Sequence, residues 1–139
     1  MREILFKAKC INNDEWVEGF YLKRTSVFGK IEHRIFYEVE NGYEFEPVIP
    51  ETLCQYTGFT DKNGQKIWEN DIAHYHGTHD DICVIRYGEY NNNSRNHHIG
   101  FYTDWKTFDF MFRQDLGFWV DERELEVIGN IFDNPKFME

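Results

Sequence analysis

Two short stretches hold most of the residues whose types and spacing could do chemistry. QYTGFTDKNGQKIWENDI, residues 55–72, sets Asp61, Asn63 and Gly64 between aromatic runs, an oxygen-rich loop of the kind that can wrap a calcium ion. Such a loop needs oxygen ligands at positions 1, 3 and 5, a glycine at 6 for the sharp bend and a glutamate at 12. Counting from Asp61, Asn63 fills position 3, but Gln65 sits at position 5, Lys66 stands in the glycine's place and Ile72 in the glutamate's. The calcium reading fails. Asp61-Lys62-Asn63-Gly64 suits a four-residue turn instead, the aspartate bonding to backbone N–H groups and Asn-Gly supplying left-handed backbone. The spacing predicts a hairpin turn joining TGFT to QKIWE.

The second stretch is AHYHGTHDD, residues 73–81. On a strand His74 and His76 share a face, and zinc or iron could use them together with His79, Asp80 or Asp81 from the next turn. Two neighbouring histidines beside an exposed hairpin tip are more simply a surface face, so no metal ligand is assigned and no cofactor is expected. His97 and His98 are adjacent, point to opposite faces and cannot chelate together.

Nucleophilic catalysis needs a Ser, Cys or Thr beside a base that a third group holds in place. No nucleophile elbow or comparable signature surrounds Cys10, Cys54, Cys83, Ser26 or Ser94. The three cysteines are an odd number without CxxC spacing, which signals neither a disulfide framework nor a zinc knuckle, and they read as reduced thiols in the core. No P-loop or GxGxxG is present. Among 25 acidic residues a catalytic carboxylate pair has no sequence signature, so the catalytic residues are unknown. Tyr56, Trp68, Tyr75, Tyr87 and Trp105 could stack a base or grip a proline-rich peptide, although such rings mostly fill cores.

The formal charge is −10. It is uneven: residues 1–70 hold nine Lys/Arg against twelve Asp/Glu, and residues 71–139 hold six against thirteen. Phosphate backbones are repelled on average. Lys23, Arg24, Lys30 and Arg34 form a local basic group, read as a solvated hairpin face before a nucleic-acid contact. No apolar run approaches a membrane span, and MREILFKAKC lacks the uninterrupted apolar core of a secretion signal, so a cytoplasmic location is expected.

The elements that must position these residues are mostly strands. Aromatics make up 18% of the 139 residues, which favours pleated, half-buried surfaces. EILFKAK and EWVEGFYL, split by INND, read as an opening hairpin. IEHRIFYEVE alternates strictly, with Ile31, His33, Ile35, Tyr37 and Val39 on one face and Glu32, Arg34, Phe36, Glu38 and Glu40 on the other. Asn41-Gly42 supplies a tight turn into YEFEPVIP, which its prolines confine to an edge, and Pro50-Glu51 opens a single helical turn. Residues 71–76, 82–88, 97–105, 116–120 and 125–132 read as five further strands, suited to a small barrel. In KTFDFMFRQD the phenylalanines fit a strand or a helix, with a short helix favoured.

Taken in order, MREILFKAK, EWVEGFYL, IPETLCQYTGFTDKNGQKIWENDI, VIRYGEY, IGFYTDW, DLGFWV and EVIGNIFDNPKF resemble, end to end, the YopX family, small proteins of unknown activity found in bacteriophages and prophages. The resemblance implies a mostly β chain with at most one or two short helices: a small N-terminal β unit, residues 1–65, packed on an SH3-type barrel at residues 66–139, or one compact unit of both. Many relatives have glycine where Asn70 stands, and asparagine also tolerates left-handed backbone. The family brings no catalytic residues. The expected function is therefore a phage accessory module that binds a host or phage protein and forms a homo-oligomer. The alternatives are a nucleic-acid-directed role, as binder or acidic DNA mimic, and a metal-dependent enzyme built on His74, His76 and His79.

Overall fold

Polar turns cut the chain into short antiparallel strands in a computed structural model that describes residues 3–77, 81–90, 98–106 and 113–139. The chain divides between Tyr56 and Thr57 into two units. It is mostly β, as the alternating patterns predict. No helix among the described residues is long and apolar enough to cross a membrane.

In the first unit, β1 (Phe6–Lys9) and β2 (Trp16–Thr25) flank the INND turn, where Asp14 takes left-handed backbone at φ 61°. β3 (Ile31–Val39) follows, then β4 (Gly42–Pro47) at the sheet edge, as its proline requires. Val39 pairs with Gly42, so the turn itself is Glu40-Asn41, one residue earlier than expected, and only Gly42 has positive φ. Pro50–Thr52 forms the single helical turn that its proline and acid predict. The start of β5 (Cys54–Thr60) pairs with β1.

The pleat of β2 to β4 decides what this unit hides and what it shows. Ile35 is fully buried and forms the core with Ala8 and Val48, against Phe6, Val17, Tyr21 and Leu53. Burying such an isoleucine contributes about 1.5–3 kcal/mol. Tyr21 reaches across this face to His33, its hydroxyl 2.6 Å from Nδ1. The residues between these core positions necessarily point the other way. At Gly19 the strand lies so close to β3 that a Cβ would overlap the Phe36 carbonyl oxygen, which explains the glycine.

In the second unit the end of β5 turns through DKNG into β6 (Lys66–Trp68). β7 (Asp71–Tyr75), β8 (Asp81–Tyr90), β9 (His98–Trp105) and β10 (Leu125–Asn130) form a sheet in the order β10-β7-β8-β9. Asn70, before β7, has φ 71°, left-handed backbone that asparagine tolerates. Among the described residues β9 and β10 are the two edges of an open sheet, with no pairing that closes it. Cys83, Ile85, Ala73, Ile67 and Leu125 are buried against Trp105 and Trp119. Tyr75, Trp105 and Trp119 meet edge to face, with Trp105 and Trp119 centroids 4.8 Å apart.

One segment differs from its predicted state. Residues 116–120, expected as a strand, lie in α1 (Leu116–Asp121). Leu116 and Trp119 are three apart and both buried, a helical spacing that alternation would split between two faces. The Trp119 indole donates to the Arg113 carbonyl at 2.9 Å, and Arg123 ends the turn at φ 61°. KTFDFMFRQD lies largely outside the described residues, since 107–112 are not among them.

Candidate functional site

The DKNG segment is a turn that the rest of the second unit uses as an anchor. Asp61 Oδ1 accepts from the N–H groups of Asn63 and Gln65, each at 2.9 Å, and Gly64 N–H closes on the Asp61 carbonyl at 3.0 Å. Gly64 alone is left-handed, at φ 79°; Asn63 is not, a correction to the expected Asn-Gly geometry. The aspartate's second oxygen accepts from Val127 N–H at 2.9 Å. Asp61 is buried with its acceptors committed to backbone donors, an arrangement that holds β10 and needs no cation.

His74 and His76 share one face of β7, as their spacing requires. Their rings are edge to face, Nδ1 of His74 3.1 Å from Nε2 of His76. The antiparallel register sets Glu126 opposite His74, and its carboxylate lies 3.4 Å from His76 Nε2 while accepting from the Asn63 amide at 3.1 Å. The Asn63 bond and then His76 hold the Glu126 carboxyl below its ordinary range. Among the described residues no group of three or more His, Cys, Asp or Glu is placed to hold a metal ion. His79 and Asp80, the other members of the proposed set, lie outside the described residues.

The cysteines are packed, not poised. All three are free and buried. Burial, followed by the charges of Asp81 and Asp104, pushes the Cys83 thiol far above its usual value, and burial with Glu46 and Glu15 raises Cys10. A nucleophilic cysteine needs the opposite shift. The Cys54 thiol faces the Thr52 carbonyl at 3.2 Å.

The basic group on β2 and β3 is partly neutralised within its own sheet. Glu32 Oε2 lies 3.2 Å from Arg24 Nε and 2.9 Å from Arg34 Nη2, close as charges although neither contact has aligned hydrogen-bond geometry. Of the rings that could stack a base, Tyr56, Trp68 and Trp105 are buried, and only Tyr87 is well exposed, beside Phe101.

What the sequence reading did not single out is the outer face of β2, β3 and β4. Cross-strand register aligns Phe20, Phe36 and Phe45 in one row, with Leu22, Arg34 and Pro47 on one side of it and Glu38 and Tyr43 on the other. Phe20 is 59% exposed, Tyr43 66%, Phe45 46% and Leu22 42%, so the row is open to solvent and not a second core. Phe36 and Phe45 have centroids 5.6 Å apart, and the Arg34 guanidinium lies 4.2 Å over the Phe45 ring. The signal was present: Phe36 falls among the charged positions of IEHRIFYEVE, and the register decides which rings join it. An exposed aromatic row with an arginine laid on it has the composition of a binding surface.

These features define a mostly β protein of two units, with an open aromatic face on the first, three buried cysteines and, among the described residues, no group of three or more His, Cys, Asp or Glu placed to hold a metal ion. The sequence profile of the YopX protein family matches residues 6–139, and the chain belongs to that family. No curated protein matches it. Among solved structures it is similar to the crystal structure of protein EF1440 from Enterococcus faecalis, at 20% identity over 100% of both chains, with a TM-score of 0.53. At that identity the likeness shows the fold alone.

Proposed function

We propose that the chain is a non-enzymatic accessory protein of bacteriophages and prophages that acts in the bacterial cytoplasm by binding protein, including other copies of itself. The observation that carries this reading is the outward row of Phe20, Phe36 and Phe45, exposed at Phe20 and Phe45 and half-buried at Phe36. Aromatic side chains and arginine are the residues most enriched where protein surfaces meet, because each buries much area at little loss of side-chain freedom. A nucleic-acid reading has less support. Arg24 and Arg34 are already opposed by Glu32 on a chain of net charge −10.

A photo-crosslinking amino acid at Tyr43, on the exposed face, tests the proposal inside a bacterium carrying the prophage; the same group at Lys62, on the DKNG turn, is the control. Protein adducts at position 43 and not at 62 are expected. No adduct at 43, or adducts to nucleic acid alone, would overturn it.

A further inference from the structure

The outer positions of β3 read Glu32, Arg34, Phe36, Glu38; with Arg24 beside Glu32, the side of the aromatic row that holds Arg34 keeps one positive charge in excess, and the other side holds the negative Glu38. Alternate residues on a strand are about 6.8 Å apart, so the two charges lie at nearly equal distances from the aromatic row. β4 repeats the arrangement without charge, with Pro47 and Tyr43 at matching distances from Phe45. A face of this kind is complementary to itself when one copy is turned end for end.

A twofold axis in the plane of the face lays it on a copy of itself, and two such axes keep the strands of the copies aligned. An axis parallel to the strands would put Arg34 near the partner's Arg34 and Glu38 near the partner's Glu38, and like charges at a closing interface oppose association. An axis along the aromatic row reverses the strands. It brings Arg34 over the partner's Glu38, Glu38 over the partner's Arg34, and Tyr43 over the partner's Pro47, while the phenylalanines meet their equivalents. We propose that this face binds a second copy of the chain about the axis along the Phe20–Phe36–Phe45 row. The inference rests on the reading of this face as protein-binding and adds the orientation in which a second copy meets it.

The local structure prepares the contact. Arg34 is held over the Phe45 ring at 4.2 Å and against Glu32 at 2.9 Å, so its guanidinium is in place before association. A guanidinium has five N–H donors, and Glu32 does not exhaust them. Each copy offers the same patch, which closes a dimer and leaves no unpaired patch to grow a filament.

Sedimentation velocity from about 1 to about 100 µM, the range in which a modest interface associates, tests this directly. The wild-type chain should pass from monomer to dimer across that range. Phe20→Glu, at an exposed position and verified as folded by its melting transition, should raise the dissociation constant about tenfold or more. Glu38→Arg and Arg34→Glu should each weaken self-association, and an equimolar mixture of the two should restore a dimer, because both contacts are again between opposite charges. If Arg34→Glu fails to fold, Phe20→Glu and Glu38→Arg still decide. A wild-type monomer throughout the range overturns the inference, and with it the self-association in the proposed function, and leaves the binding of another protein to the crosslinks at Tyr43. A dimer indifferent to both Phe20→Glu and Glu38→Arg also overturns it, since the copies would then meet elsewhere.

Discussion

Asp61→Ala removes three hydrogen bonds at once, and their worth follows from where each donor lies. The carboxylate accepts from Asn63, Gln65 and Val127, all at 2.9 Å. A bond to an ionised acceptor contributes about 1.5–3 kcal/mol when its donor has nowhere else to go. Asn63 and Gln65 are exposed, so water takes over part of their bonding, whereas Val127 is half-buried on β10. Taking most of one full bond for Val127 and about half for each turn bond gives a loss of about 3–5 kcal/mol. Asp61→Asn should cost about 2 kcal/mol, because its NH2 group must face one of the backbone donors. Urea unfolding followed by tryptophan fluorescence and far-ultraviolet circular dichroism reads both losses as falls in the midpoint at unchanged slope. A change within about 0.5 kcal/mol for Asp61→Ala would refute the anchor. Stability that rises with added calcium would refute the turn.

Gly64→Ala should destabilise by about 1 kcal/mol from backbone strain at φ 79°, since nothing lies within 4 Å of the added Cβ; the same urea titration checks it. Gly19→Ala should cost more, about 3 kcal/mol, because its Cβ would overlap the Phe36 carbonyl oxygen in the backbone of β3; equal losses for the two glycines would contradict this account. Replacing His74 and His76 together by glutamine should change the melting temperature by less than about 2 °C at neutral pH. Glu126 has its folded pKa below the ordinary 4.5, so its stabilisation is complete above that value and disappears as pH falls through the folded pKa. Glu126→Gln should therefore cost stability at neutral pH and little in acid, read by the same urea titration, and a cost that persists unchanged in acid would show that the carboxylate's charge is not what stabilises.

Local chemistry was readable and long-range pairing was not. The DKNG turn follows from the habits of aspartate and glycine, but the bond from Asp61 to Val127 joins residues 66 apart, which no window of sequence contains. His74 and His76 share a face by strand period alone. Glu126 enters their cluster only through the register of β10 on β7. The alternation of β3 was plain, and it correctly sends Ile35 inward, yet it left Phe36 among charges without a reason until Phe20 and Phe45 were set beside it. LGFWV reads as a strand because aromatic and β-branched residues favour strands, whereas burial of both Leu116 and Trp119 requires a helical turn.

Hydroxyl-radical footprinting tests the central claim, that the outer face of β2 to β4 binds protein, most directly. The purified chain at submicromolar concentration is compared with the same chain in lysate of prophage-bearing cells and with the pure chain at high concentration. The account predicts strong oxidation of Phe20, Tyr43 and Phe45 in the dilute sample. It predicts their joint protection in the other two, while Tyr87, 56% exposed on the second unit, reacts equally in all three. Unchanged oxidation of Phe20, Tyr43 and Phe45 in every sample would contradict it.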